Sequence, residues 1–420
     1  MARTPGPASS PLARARIELT VGPVAHGGHC VSRVDGRVVF VRHALPGERV
    51  LAEVTEERRD FLRADAVRVL QPSPDRVQPP CPFARPGACG GCDWQHATPA
   101  AQRTLKGAVL REQLARLAGL DVDVPVQPLD EDYLGWRARV QYAVDGEGRL
   151  GLRKHRSHDV VPIDRCRIAH PDIQALPLTS RSWPPGAVVE VVASSAGDRS
   201  VHLRGSRMER RASLVSGPRR VREVVAGREF SLDATGFWQV HPRAPEVFAA
   251  SVLDLLRPRQ GERAWDLYGG AGLFAAALAP HTGPVTVVES DRHAVAAGRR
   301  ALADLDNVRF VRGEVARVLA NPRWRAVDLV VLDPPRSGAG REVVHSIAER
   351  SPRAVAYVAC DPAAFARDVR IFGDLGYALD AVRAFDAFPM TQHFETIGLL
   401  IRKLRSRLAA PRSGRRDGQR

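Results

Sequence analysis

The feature that most constrains this 420-residue chain is a change of period near Gly236. From there on, short apolar runs alternate with helical segments: AWDLYG, then a helix from Ala271; VTVVES, then a helix from Asp291; VRFVRG; AVDLVVLD; and AVAYVAC, then a helix from Pro362. Apolar runs this short, without polar alternation, suit parallel strands buried under helices on both faces. The closing pair, ALDAVRAFDAF and FETIGLLIRK, suits an antiparallel edge. The expectation is an α/β catalytic core with a Rossmann-like, seven-stranded sheet over residues 236–404. In such a sheet ligands bind beyond the carboxyl ends of the strands, so the residues at those ends are where function is to be sought.

Upstream, the pattern is different. Residues Ile17 to Leu70 are short alternating runs broken by turn signals such as Asp35-Gly36 and Pro46-Gly47, which predicts a small OB-like β-barrel over 13–72. Gln71 to Arg76 reads as a linker, and Pro99 to Leu117 as an amphipathic helix. Between about Tyr133 and Leu232, runs such as WRARVQYAVD, RLGLRKH and AVVEVVAS predict a mainly antiparallel central domain, placed within 73–235. Residues 1–12 and 405–420 read as a flexible tail and a basic disordered tail.

A net charge of +15 points to a polyanionic partner, because clustered Arg releases counterions on binding nucleic acid. Arg204, Arg207, Arg210, Arg211, Arg219, Arg220 and Arg222 are densely placed, and Trp136, Arg137, Arg153, Lys154 and Arg156 are further candidates to grip RNA. No apolar run approaches the roughly 18 residues of a membrane span, and the Arg-containing N-terminus has no apolar stretch of a secretory signal. The expectation is a cytoplasmic protein without membrane contact, acting as a monomer.

Two strand ends speak for a cofactor. The first strand runs into Asp266-Leu267-Tyr268-Gly269-Gly270-Ala271-Gly272, whose glycines let a ligand approach the backbone. The second ends in Glu289, about twenty residues on, where a carboxylate accepts hydrogen bonds from ribose hydroxyls. The glycines do not form the GxGxxG of a dinucleotide site, which favours S-adenosylmethionine.

Two further ends speak for chemistry. The fourth strand ends in Asp333-Pro334-Pro335-Arg336-Ser337-Gly338, with Arg336 where methyltransferases acting on exocyclic amines carry an aromatic residue. The fifth ends in Cys360-Asp361-Pro362. Carbon 5 of uracil is a poor nucleophile, and a thiolate adding to carbon 6 activates it, which is a role for a cysteine facing the cofactor. The carbon 5 proton must then be removed, and Glu395, near the start of the last strand, is the candidate base.

Of the six cysteines, Cys81, Cys89 and Cys92 lie close together and Cys166 lies apart. Four thiolates hold a [4Fe-4S] cluster or a tetrahedral zinc ion, and spacing does not separate the two.

Together, Phe237-Trp238-Gln239-Val240, DLYGGAG, LDPPRSG, ACDP and HFET, in this order, resemble the RNA 5-methyluridine methyltransferase family of class I S-adenosylmethionine-dependent enzymes. DGRVVFV and ALPGERV resemble the TRAM domain, an RNA-binding barrel, and with the cysteines place the likeness in the 23S ribosomal RNA branch with TRAM barrel and iron-sulfur cluster. The resemblance spans about Ala13 to Leu404. It implies cofactor contacts from Gln239, Tyr268, Gly270, Gly272, Glu289 and Asp333, with Glu314 facing the adenine, Cys360 as nucleophile and Glu395 as base. It also favours the iron-sulfur cluster over zinc. The chain departs from the family at Asp361 and His241, each usually Asn, at Gly269, usually Cys, and at Leu273, usually polar. Two other readings are a transfer-RNA uridine methyltransferase, expected without barrel and cysteine cluster, and a catalytically silent RNA-binding assembly factor, which would not need both Cys360 and Glu395.

Overall fold

The computed structural model describes residues 14–205, 212–324 and 326–403. The expected tails at 1–12 and 405–420, and Arg207, Arg210 and Arg211 of the basic run, lie outside the described residues. No helix among the described residues is long and apolar enough to cross a membrane.

The first five strands are β1 (Arg16–Thr20), β2 (Cys30–Val34), β3 (Arg37–Arg42), β4 (Arg49–Glu57) and β5 (Phe61–Gln71), in the order β1-β4-β5-β3-β2. Asp35 and Gly36 both take left-handed conformations, φ 48° and 80°, as the tight hairpin between β2 and β3 requires. The presumed linker after β5 is pinned. The buried Glu48 carboxylate receives Arg76 Nε at 2.5 Å, Ser73 N at 3.1 Å and Leu45 N at 2.8 Å.

Helix α1 (Pro99–Gln113) starts at Thr98, whose hydroxyl accepts the Ala101 N–H at 3.2 Å, and the chain leaves it through a further turn that ends at Gly119, φ 70°. β6 (Val126–Pro128) follows and pairs parallel with β20 (Tyr377–Asp386), Val126 opposite Ala384. So the segment expected to lie in the central domain sends one helix and one strand to the catalytic core. The signal was weak because β6 has only three residues, two of them exposed.

The central sheet is antiparallel throughout. Its strands are β7 (Arg139–Val144), β8 (Leu150–Arg153), β9 (Val160–Pro162), β10 (Val188–Ala193), β11 (Arg199–Arg204) and β12 (Ser213–Ser216), in the order β12-β11-β10-β7-β8-β9, with the short helix α2 (Pro171–Gln174) between β9 and β10. A separate hairpin, β13 (Arg220–Val225) and β14 (Arg228–Asp233), leads to the catalytic core.

That core contains α3 (Ala244–Leu256), β15 (Ala264–Leu267), α4 (Leu273–Leu278), β16 (Val285–Glu289), α5 (Arg292–Ala301), β17 (Val308–Arg312), α6 (Val315–Leu319), β18 (Leu329–Leu332), α7 (Gly340–Glu349), β19 (Ala354–Ala359), α8 (Pro362–Asp374), β20 and β21 (Glu395–Arg402). The order is β17-β16-β15-β18-β19-β21-β20-β6. This is the expected seven-strand arrangement, with β21 antiparallel to its neighbours, extended by β6 as an eighth. Alternate residues of β19 serve opposite faces. Val355, Tyr357 and Ala359 join the core shared with α1, α8 and the barrel; Ala354, Ala356 and Val358 join the core shared with α3, α4 and β14. Burial on both faces explains the unbroken apolar runs and places every polar strand end at one rim.

Candidate active site at the strand ends

The chain leaves β15 through a left-handed turn: φ is 59° at Tyr268, 54° at Gly270 and 84° at Gly272. A Cβ on Gly272 would sit 2.9 Å from Leu302 Cδ1, whereas one on Gly270 would meet nothing within 4 Å, so the turn packs tightly below and is open at Gly270. Gly270 N donates to Glu289 Oε2 at 3.0 Å, and Glu289 Oε1 accepts from Asp291 N at 2.6 Å and Ser290 Oγ at 3.1 Å. Both carboxylate oxygens are thus fixed by local donors, and Oε2, with a single donor, keeps a lone pair for a ligand. Beneath the turn lies Asp266, a motif residue whose sequence context carries no sign of its role. Its Oδ2 accepts the Ala275 N–H at 2.9 Å; its Oδ1 is buried without a partner. Burial, and then the charges of Asp333 and Glu289, push the Asp266 carboxyl up to about 7.

The nucleophile and base candidates meet through strand register. Ala359 of β19 pairs with Thr396 of β21, so the next antiparallel positions, Cys360 and Glu395, fall opposite one another. Burial pushes the half-buried Cys360 thiol up to about 12; the Glu395 charge adds to this and Arg336 opposes it. Glu395 is 5% exposed and lies well above the ordinary carboxylate range, first through burial and then through Asp333, with Arg336 again opposing. Asp333, whose N–H donates to Leu267 O at 3.3 Å, is itself raised to about 7 by burial. Glu289, Asp266, Asp333 and Glu395 therefore form an acidic line along the rim, suited to a cationic ligand.

The Pro334 to Gly340 loop is anchored from below by Asp368, another residue without a sequence signal. Its Oδ2 accepts from Tyr357 Oη at 2.6 Å, Ala339 N at 2.7 Å and Gly340 N at 3.2 Å. Gly338, φ 87°, passes close over this carboxylate; a Cβ there would lie 2.7 Å from Oδ2. The loop before Glu395 is anchored by α1. Lys106 and Asp386, both buried, pair at 2.5 Å; Lys106 Nζ also donates to Phe388 O at 3.1 Å, and Met390 N donates to Gln102 Oε1 at 2.8 Å.

Cys81, Cys89, Cys92 and Cys166 line one cavity with Arg137, Arg165 and Arg167. Among the described residues no carboxylate or imidazole shares it. Gly91 N donates to Cys89 Sγ at 3.4 Å, and Ile168 and Ala169 present N–H groups to Cys166. Burial raises the thiols of Cys89, to about 11, Cys92 and Cys166. As they stand, no three His, Cys, Asp or Glu side chains among the described residues are arranged to hold a metal ion, so ligation would require the thiols to turn inward.

Comparisons with known proteins match this architecture. A TRAM domain profile matches residues 13–67, and a profile described as tRNA (Uracil-5-)-methyltransferase matches 225–404. An uncharacterized RNA methyltransferase of Streptomyces coelicolor is 48% identical over 434 residues, covering 94% of this chain and 95% of its own. The 23S rRNA (uracil(1939)-C(5))-methyltransferase RlmD of Alkalilimnicola ehrlichii is 33% identical over 441 residues, covering 93% of this chain and 98% of its own. The chain belongs to the RNA uracil-C5 methyltransferase family. It is an S-adenosylmethionine-dependent RNA (uracil-C5)-methyltransferase with an N-terminal TRAM barrel. Among solved structures, the Pyrococcus abyssi tRNA (uracil-54, C5)-methyltransferase in complex with S-adenosyl-L-homocysteine shares the fold, with TM-score 0.71, 21% identity, and coverage of 92% of this chain and 100% of that one.

In this methyltransferase the remaining expected residues fall less neatly. Gln239 is half-buried between β14 and α3, directly after Trp238, which packs on Phe230. Glu314 caps the start of α6, is exposed, and pairs with Arg317 at 3.0 Å, so no contact ties it to the acidic line. Trp136 is not available to grip RNA: it is 5% exposed and stacks on His241 at 6.1 Å. This contact accommodates the His241 departure, since burial lowers that imidazole to about 4 and keeps it neutral. Arg153 and Arg156 are exposed. On the barrel, Arg63 lies over Phe40 and Phe61, at 5.4 and 5.2 Å from the ring centroids. Arg63 also pairs with Glu56 at 3.2 Å, and this ordered cationic cluster makes the face a candidate RNA interface.

Proposed function

We propose that this methyltransferase modifies a uridine of 23S ribosomal RNA through a covalent adduct between Cys360 Sγ and carbon 6, with Glu395 as the general base. The observation that carries the reading is the β19–β21 register, which sets Cys360 opposite Glu395 beside the acidic line. S-adenosylmethionine, when bound, supplies the methyl group as an electrophile on a cationic sulfur. The open turn at Gly270, the tethered Glu289 carboxylate and the unpartnered Asp266 Oδ1 fit such a ligand. Tyr268, Gly272, Asp333, Gln239 and Glu314 complete the proposed contacts through the family resemblance.

Cys360, as its thiolate, bonds through Sγ to carbon 6, and the 5,6 π electrons pass into an enolate that makes carbon 5 nucleophilic. After carbon 5 is alkylated, Glu395 takes its proton, the 5,6 double bond re-forms and the thiolate leaves. Burial holds the Glu395 carboxyl well above its usual range, which makes it a stronger proton acceptor once ionised than an exposed carboxylate. The target base must leave its stack to reach a half-buried sulfur, so loop or single-stranded RNA is the substrate.

We also assign Cys81, Cys89, Cys92 and Cys166 as ligands of a [4Fe-4S] cluster, with zinc as the alternative. Four thiols, backbone N–H donors on two sulfurs and a rim of arginines suit an anionic thiolate-bound centre. Its role is structural. Segment 93–94 holds the loop before Glu395, because Asp93 N and Trp94 N both donate to Met390 O at 3.0 Å.

The ribosomal target is favoured by the RlmD relative, which covers 93% of this chain. Mapping 5-methyluridine in ribosomal and transfer RNA of cells with and without the gene tests it. Loss at a 23S position is expected; loss confined to transfer RNA would replace the target while leaving the chemistry.

A further inference from the structure

A loop of the barrel reaches the catalytic rim, and one of its contacts falls beside the nucleophile. His26, in the loop between β1 and β2, places Nε2 3.1 Å from Asp361 Oδ2. The other oxygen of Asp361, Oδ1, caps α8 by accepting the Ala364 N–H at 2.8 Å. The turn from Cys360 to Pro362 is therefore held on one side by a helix N-terminus and on the other by the barrel. Two residues on, Gly28 O accepts Trp94 Nε1–H at 3.0 Å, and Gly28, φ 80°, packs so closely on Gln392 that a Cβ would lie 2.7 Å from Gln392 Cβ. Gln392 is three residues before Glu395. One barrel loop thus bears on the turn that carries the nucleophile and on the turn that leads to the base.

We propose that His26 is a positioning residue for Cys360, acting through Asp361, so that the TRAM barrel is part of the active-site frame as well as an RNA-binding module. This rests on the assignment of Cys360 as nucleophile. Burial pushes the Asp361 carboxyl up, but hydrogen bonds from His26 and Ala364 outweigh it and leave the group below its ordinary range. With Asp361 ionised, its oxygen accepts and the imidazole N–H donates. Loss of the donor frees the Cys360–Asp361 turn to shift relative to Glu395, and reacting geometries lose rate steeply with small displacements.

The test compares His26→Ala, His26→Gln, Asp361→Ala and the double variant His26→Ala/Asp361→Ala in the full chain, with Cys360→Ala alongside. Steady-state kcat and KM are measured on an RNA substrate, and Kd is measured for S-adenosylmethionine. His26→Ala is expected to lower kcat by about ten- to a hundredfold, with KM for RNA and Kd for the cofactor within about twofold, margins set by the replicate scatter of such assays. His26→Gln, whose amide can donate in place of Nε2, is expected to recover most of kcat. The double variant should be no worse than Asp361→Ala. A His26→Ala variant with normal kcat, a change confined to KM, a loss of cofactor binding in parallel with kcat, or additive losses in the double variant would each overturn the inference. If Cys360→Ala itself stays active, the nucleophile assignment fails instead, and the two failures are told apart.

Discussion

Cys360 and Glu395 stand at the ends of neighbouring strands paired residue by residue, whereas Cys81, Cys89, Cys92 and Cys166 reach their cavity from loops. The first pair is fixed by backbone hydrogen bonds of a sheet buried on both faces, so its geometry exists before any ligand arrives. The four thiols have no such ladder behind them. Burial holds three of them protonated, and only a cation between them would compensate the charge of deprotonated sulfur. The proposed catalytic pair is thus preorganised by the fold, whereas the proposed cluster ligands would be brought together by the group they hold.

The strongest way to break this contrast is at the base. Glu395→Gln keeps the shape of the strand end and removes the proton acceptor, so turnover is expected to fall by about 10²- to 10⁴-fold while a denaturation-resistant protein–RNA adduct accumulates. Gel analysis after RNA incubation checks both; undiminished turnover would remove Glu395 from the mechanism. Next comes the anchor of the loop before Glu395. Lys106→Met leaves the buried Asp386 carboxylate unpaired, which should cost about 3–5 kcal/mol of stability, measured by chemical denaturation.

Replacing Cys89 or Cys166 with Ser is expected to abolish the absorption of an anaerobically purified iron-sulfur centre and to leave Kd for S-adenosylmethionine nearly unchanged. Metal content unaffected by either change would contradict the ligand assignment. At the cofactor end, Glu289→Gln should weaken S-adenosylmethionine about tenfold, the loss of one charge-assisted hydrogen bond, read by calorimetry.

The remaining test is a pH profile. With the Cys360 thiol raised to about 12, only a minor fraction is thiolate at neutral pH, and that fraction grows as pH rises. Alkylation of Cys360 by iodoacetamide, followed by peptide mass spectrometry, should therefore accelerate about tenfold per pH unit between roughly pH 7 and 9. A flat profile would mean that the site already stabilises the thiolate.

What was legible in the sequence follows the same division. The catalytic sheet announced itself because strands buried on both faces read as unbroken apolar runs, and the residues closing them, Glu289, Asp333 and Cys360, stand where a strand end must be. The Asp35-Gly36 hairpin was legible for a local reason, two successive left-handed residues. Contacts between distant segments left no such mark. Nothing in the three residues of β6 signals a partner more than 250 positions away. Asp368 sits on a helix face and has no motif, although its carboxylate holds the Pro334 to Gly340 loop. Trp136 looked like an RNA contact because Trp beside Arg fits one, yet tertiary packing gave it His241 and Phe388 as neighbours. His26 could be seen as a barrel loop residue, but its reach to Asp361 exists only once both domains are folded.

The most direct measurement uses RNA carrying 5-fluorouridine at the target position, where fluorine replaces the proton that the base must remove. Incubated with S-adenosylmethionine, the wild-type enzyme should form a protein–RNA complex that survives denaturation, with the crosslink mapped to Cys360, and Cys360→Ala should form none while still binding the cofactor. A Cys360→Ala enzyme that forms the same complex, or that methylates ordinary RNA at the wild-type rate, would contradict the account.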